Sequence, residues 1–290
     1  MKFDFVEREL TWSELNEYLG DADRELPEAD WLMLLQRLAS QNASLALRLY
    51  LRRMAAAFEP GDSQMECALP LFEAPGTRRA GRALFAATSL TPAVILLPEL
   101  SGERVVCGRV RAPLADAELP ASSARSEPRL CGLEGLPLLE LERIEAPAGE
   151  LRPIPGIFSL GISRIVVGRL NRALKIAETY MSERRQGGRT LTQWSEPARQ
   201  LSDLRWSLGN WEHALARTPP SRSLALQTRL NEASFEFVSA CMDLMGGAGY
   251  MKEYGLEEIY RDVLTLAAVW GSCAEKRLWL LQQERLWPKS

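Results

Sequence analysis

Near the C-terminal end, Met242-Asp243-Leu244-Met245 runs into Gly246-Gly247-Ala248-Gly249-Tyr250, and Leu256 opens a second apolar-periodic segment. Glycines at a helix end supply positive φ and leave backbone amides uncovered. Amides exposed in such a bend can form a nest for an anion such as a pyrophosphate. The same residues also describe a plain C-cap between two packed helices, and a glycine motif alone does not choose between the two. The other reactive side chains exclude chemistry more than they offer it. His213 is the only histidine, which removes multi-histidine metal sites. Cys67, Cys107, Cys131, Cys241 and Cys273 are odd in number and lack CxxC spacing, as suits buried thiols in a reducing compartment.

Composition narrows the class. The chain has 290 residues, 46% hydrophobic and 25% charged, which is enough for one large domain or several small ones. A net charge of -3 gives no reason to expect nucleic acid. No apolar run is long enough to span a bilayer. Met1-Lys2-Phe3-Asp4-Phe5 lacks a signal core, so the expected location is cytoplasmic.

The elements that must position the glycine stretch follow from periodicity and breakers. Thr11 or Ser13 can cap a short first helix, Pro27 opens a second, and Asn42-Ala43-Ser44 opens a third that is apolar nearly all round. After Glu59-Pro60-Gly61, short runs around Leu84, Ala93–Leu97, Arg104–Cys107 and Leu138–Ile144 read as strands of a small antiparallel sheet. Beyond Pro153-Ile154-Pro155-Gly156 the pattern is helical. Four segments are predicted: Phe158–Gln186, Glu196–Arg217, Ser221–Met245 and Leu256–Leu286. Short connections between long helices predict antiparallel neighbours and a four-helix bundle. The expectation is an α+β, mostly α chain. Its parts are a helical segment over 1–60, a β domain over 61–152 and a bundle over 153–290.

The glycine stretch resembles the C-terminal signature of the acyl-CoA dehydrogenase family, Gly-Gly-x-Gly-Tyr, x-x-Glu-Tyr, then Glu-x-x-x-Arg-Asp. Gly246, Gly247, Gly249, Tyr250, Glu253, Tyr254, Glu257, Arg261 and Asp262 fall in register. On the first bundle helix, Tyr180, Arg184, Gly188 and Leu191 match Tyr-x-x-x-Arg-x-x-Phe-Gly-x-x-Leu, and Leu201-Ser202-Asp203-Leu204 matches Leu-x-Asp-Met. The run Leu34–Leu45 is similar to the late helices of the family's N-terminal domain; the earlier helices have no counterpart, and the β domain resembles the family's only loosely. The resemblance implies an FAD pyrophosphate against Gly246, Gly247 and Gly249. It implies Arg184 reaching the FAD of a neighbouring subunit, and flavin contacts at Gly188 and Ser272.

The departures bear on chemistry. The family's catalytic Glu position is Trp270, followed by Gly271 and Ser272. An indole cannot accept the α-proton of an acyl thioester. Glu150 and Glu275 are the nearest acids, Asp262 is expected to serve the fold, and the Arg261–Asp262 pair reads as a bundle salt bridge. The family's Phe is Gly187, its supporting Gln is Ser195, and the Gln before Gly-Gly is Asp243, which would repel a pyrophosphate. The flavin motifs of the β domain are absent; Glu73–Thr77 and Ala86–Ser89 stand nearest to them. Three readings follow. The first is a non-catalytic or half-site subunit, oligomeric with a full-length acyl-CoA dehydrogenase that supplies the base. The second is an active flavoenzyme with another base, acting on a coenzyme A or carrier-protein thioester, as a homodimer or tetramer. The third is a structural or binding descendant with no flavin.

Overall fold

The computed structural model describes residues 11, 14–15, 19, 26–58, 67–70, 83–86, 94–101, 104–111, 132–133, 138–141, 151–153, 156–269 and 272–283. Trp270, Gly271, Glu150, Glu73–Thr77 and Ala87–Ser89 lie outside the described residues.

The first helices begin where their capping residues stand. The Glu14 N–H donates to Thr11 Oγ1 at 3.3 Å and the Thr11 N–H to Glu14 Oε2 at 2.8 Å, a reciprocal cap that selects Thr11. Helix α1 (Glu28–Gln41) follows Pro27, and α2 (Ala43–Phe58) starts as Asn42 Oδ1 accepts the Leu45 N–H at 3.1 Å. Leu45, Leu47, Leu49, Tyr50, Leu51 and Met54 of α2 are all buried, as its apolar circumference requires.

Six strands form one sheet: β1 (Cys67–Pro70), β2 (Ala83–Ala86), β3 (Val94–Ser101), β4 (Arg104–Arg111), β5 (Leu138–Leu141) and β6 (Leu151–Pro153). Their order is β5-β2-β1-β3-β4-β6. The sheet departs from the antiparallel expectation at one place, since β1 and β3 pair in parallel. The chain reverses into β2 and again into β3, so β3 returns to β1's free edge pointing the same way.

The centre of the molecule is α3 (Gly156–Glu183). Ile162, Ile165, Val166, Val167, Leu170, Ala173, Ala177 and Met181 are fully buried. Two glycines let α1 and α2 approach it. A Cβ on Gly168 would meet Gln36 O at 2.3 Å, and one on Gly161 would meet the Tyr50 ring at 3.0 Å. At that junction Trp31, Tyr50 and Phe158 pack with ring centroids 5.7 to 6.2 Å apart.

After α3 a hairpin of β7 (Arg185–Gln186) and β8 (Arg189–Thr190) leads into α4 (Ser195–Arg217), α5 (Ser223–Met245), α6 (Leu256–Ala268) and α7 (Cys273–Gln283). The hairpin replaces the last turn that periodicity assigned to the first bundle helix. Gly187 at φ 59° and Gly188 at φ 81° form a turn whose twist suits two tight strands. The predicted single helix over Leu256–Leu286 is two helices. Val269 is extended, and Ser272 begins α7 with its own reciprocal cap. The Glu275 N–H donates to Ser272 Oγ at 3.2 Å, and the Ser272 N–H to Glu275 Oε2 at 2.6 Å.

Candidate functional site at the glycine end of the bundle

Helices α3 and α5 run in the same direction. At one end, a Cβ on Gly156 of α3 would overlap Pro220 O, just ahead of α5. At the other end Tyr180 of α3 meets Tyr254 edge-on, with centroids 5.6 Å apart. That second end gathers Arg184, Gly188, Gly246, Gly247 and Gly249. It does not gather Ser272, because α6 carries the chain 13 residues away, about 20 Å of helix, before Ser272 is reached.

The glycine stretch is wound as a 3-10 helix over Gly246–Tyr250, followed by another over Lys252–Tyr254. Gly246 holds φ 58°, ψ -138°, a conformation that only glycine takes freely. Its N–H bonds to Asp243 O, and the Met251 N–H bonds to Ala248 O at 3.1 Å. The amides of Gly246 and Met251 are therefore engaged within the turn. A Cβ on Gly249 would meet Met242 O at 2.4 Å, so this glycine serves the return of the chain over α5. Gly246 and Gly247 face open space. The exposed Asp243 accepts the Tyr250 hydroxyl at 3.2 Å, and its charge pushes that phenol up. A diphosphate approaching this turn meets a carboxylate.

The hairpin is different in charge. Arg184, Arg185 and Arg189 are exposed and form no ion pair among the described residues. Between Met181 and Gln193, Glu183 is the only acid. The Trp194 indole lies beneath the turn. Its Nε1 donates to Gln186 O at 3.3 Å, the Arg189 guanidinium sits 6.0 Å from its ring, and a Cβ on Gly187 would touch the ring at 3.2 Å. Trp194 thus lies against Gly187. A depression beside the turn is lined by Arg185, Gly188, Arg189, Thr190 and Gln193. Sequence reasoning missed Arg185, Arg189 and Trp194, although Gly187-Gly188 between short polar runs is a hairpin signal. Toward the implied flavin diphosphate, the glycine turn presents Asp243 and the hairpin presents Arg184.

The acids near the missing base are committed elsewhere. Glu275 closes the cap on Ser272. Asp262 is buried, 2.8 Å from Arg169 Nη2, and accepts the Leu133 N–H at 2.5 Å. Burial pushes its carboxyl up, while Arg169 and the Leu133 N–H pull it back. Its neighbour Arg261 bonds Glu257 at 2.8 Å. On a helix, adjacent residues point 100° apart, so each finds its own partner. Lys276, unnoticed in the sequence, is fully buried. Its Nζ donates to Ala267 O at 2.9 Å, and burial lowers its pKa to about 8. His213 is exposed. No group of metal-ligating side chains occurs among the described residues, and none of the described helices is long and apolar enough to cross a membrane.

Comparison with known proteins matches residues 159–278 to the acyl-CoA dehydrogenase C-terminal domain. No curated protein matches the chain. Among solved structures, butyryl-CoA dehydrogenase from Megasphaera elsdenii is similar with a TM-score of 0.67 and 12% identity, over 93% of this chain and 85% of that one. Glutaryl-CoA dehydrogenase from Mycobacterium smegmatis gives 0.64 and 14%, over 97% and 88%. The prolyl acyl carrier protein oxidase AnaB gives 0.65 and 13%, over 93% and 89%. These structural likenesses show the fold.

Proposed function

Since residues 159–278 belong to the acyl-CoA dehydrogenase C-terminal domain and the chain has the acyl-CoA dehydrogenase fold, we propose a subunit function. The protein is a non-catalytic or half-site subunit of a heteromeric, FAD-dependent acyl thioester α,β-dehydrogenase. The observation that carries this reading is the fate of the carboxylates. Trp270 stands where the base is expected, Glu275 is spent on Ser272, and Asp262 is spent on Arg169 and Leu133. Glu275 and Asp262 are each held by a local partner, so on this reading a partner subunit supplies the carboxylate that takes the α-proton. FAD, when bound, supplies the hydride acceptor. This chain contributes Arg184, an exposed guanidinium with no ion pair among the described residues.

A flavin-free binding descendant is the second reading, favoured by the Asp243–Tyr250 contact across the glycine turn.

Gentle purification followed by a visible spectrum tests these ideas. Expected is a flavin band that co-elutes with a second, full-length dehydrogenase chain and is lost when the two separate. A homo-oligomer that stays colourless after FAD addition and desalting would sink the subunit reading. A homo-oligomer that retains FAD and is bleached by an acyl thioester would show an active enzyme instead. The variant Trp270→Glu then asks whether a carboxylate there restores bleaching.

A further inference from the structure

Away from the glycine turn and the hairpin, a cavity of 290 Å³ opens where the α1–α2 junction, α3 and the start of α6 meet. Small-molecule sites begin at roughly that size, about 300 Å³. Ala43 and Ser44 line one side, Arg169 and Arg172 the second, and Tyr254 and Glu258 the third.

Two helices open onto this cavity. The first residues of α2 line it, and α2 has no acid in its first turn. Gly255, also at the wall, is the N-cap of α6; it holds φ 74° and brings no side-chain oxygen to the amides that follow. The first turn of a helix carries N–H groups with no partner inside the helix, and that end bears roughly half a positive charge. The two acids in the first turn of α6 are already engaged, Glu257 with Arg261 and Glu258 with Arg169.

A buried charge sits against the same space. Arg169 is 2% exposed and lines the cavity. Its two Nη atoms reach Asp262, Glu258 and Ala39 O, whereas its Nε has no hydrogen-bond partner. A buried donor without an acceptor is costly, and an acceptor from outside the chain relieves it. At the rim, Arg172 is exposed and forms no ion pair among the described residues.

Charge selects the ligand. Arg169 and Arg172 balance Glu258 and Asp262, which line the cavity with them. The surplus is that of the two helix ends, about one positive charge in sum. A dianion would bring excess negative charge toward two carboxylates, so a monoanion fits best. A guanidinium fork matches the two oxygens of a carboxylate. Ile176 and the ring of Tyr254 offer an apolar wall for a short hydrocarbon group. We propose that this cavity binds the carboxylate of a small organic acid, held by Arg172 and the first-turn amides of α2 and α6. The site requires neither flavin nor a partner subunit.

Saturation-transfer NMR on the full chain with butyrate tests it, with butanol and inorganic phosphate as comparison ligands. The wild type is expected to bind butyrate more tightly than either. Arg172→Gln should weaken butyrate by about five- to tenfold, as loss of a charge-assisted contact does. Arg172→Lys should keep much of the affinity, which separates charge from folding. Gln41→Glu adds a carboxylate at the exposed edge of the cavity and should weaken binding by about threefold or more. Arg217→Gln, exposed on α4, should leave it unchanged. Absence of butyrate binding by the wild type overturns the site. So does binding that Arg172→Gln and Gln41→Glu both leave intact, since butyrate would then sit elsewhere. Phosphate tighter than butyrate overturns the assignment to a monocarboxylate, and butanol equal to butyrate overturns the role of charge.

Discussion

Asp262 of α6 and Arg169 of α3 meet at 2.8 Å, both side chains 3% exposed, and the same carboxylate holds the Leu133 N–H at 2.5 Å. Arg169 also reaches Glu258 at 3.2 Å and Ala39 O at 3.4 Å. Four segments of chain therefore converge on one ion pair. Gly132 fits there only for want of a side chain, since its Cβ would overlap Arg261 O.

Removing one partner leaves the other charge buried. Asp262→Ala is expected to cost about 3–5 kcal/mol in urea unfolding. Arg169→Met combined with Asp262→Leu should cost clearly less than the sum of the single changes, because neither charge is then stranded. Additivity in that double-mutant cycle would show that the two residues act independently.

Lys276 sets a pH dependence. Its folded pKa of about 8 lies below the ordinary 10.5, so the unfolded chain holds its proton more tightly. Stability therefore rises as pH climbs from about 8 to 10.5, and the full penalty is present below 8. The difference corresponds to roughly 3 kcal/mol, against about 1 for the bond to Ala267 O. Lys276→Met should thus stabilise the protein near pH 7 by about 2 kcal/mol. Thermal melts from pH 7 to 10 should climb for the wild type relative to the variant. Parallel curves would remove Lys276 as the cause.

Two glycines should answer the same substitution with opposite sign. Gly168→Ala drives a Cβ to 2.3 Å from Gln36 O on α1, where backbone must move, at a cost of about 2 kcal/mol. Gly209, on α4, faces open space, and Gly209→Ala should stabilise by about 0.5–1 kcal/mol. Equal melting shifts for the two would contradict the packing of α1 on α3.

Ser272→Ala removes the cap that starts α7. The expected loss is about 1 kcal/mol by thermal melting, with Ser272→Asp close to wild type. If Ser272→Ala leaves stability unchanged, the α6–α7 break has another cause, and Glu275 is free for other work.

Helix starts were legible because a cap is written within four residues, as at Thr11 and Asn42. The break at Ser272-Cys273-Ala274-Glu275 was legible by the same rule, and the apolar pattern running through it obscured it. The motif order in 159–278 was likewise a property of the chain alone. What only the tertiary structure decided depends on which helix faces meet. Nothing local pairs Asp262 with Arg169 or buries Lys276. Nothing local sets Ser272 apart from the glycine turn either. A capping bond joins neighbours in sequence and needs no partner from afar. Burial in the core and the Arg169–Asp262 ion pair are set by contacts between residues tens of positions apart.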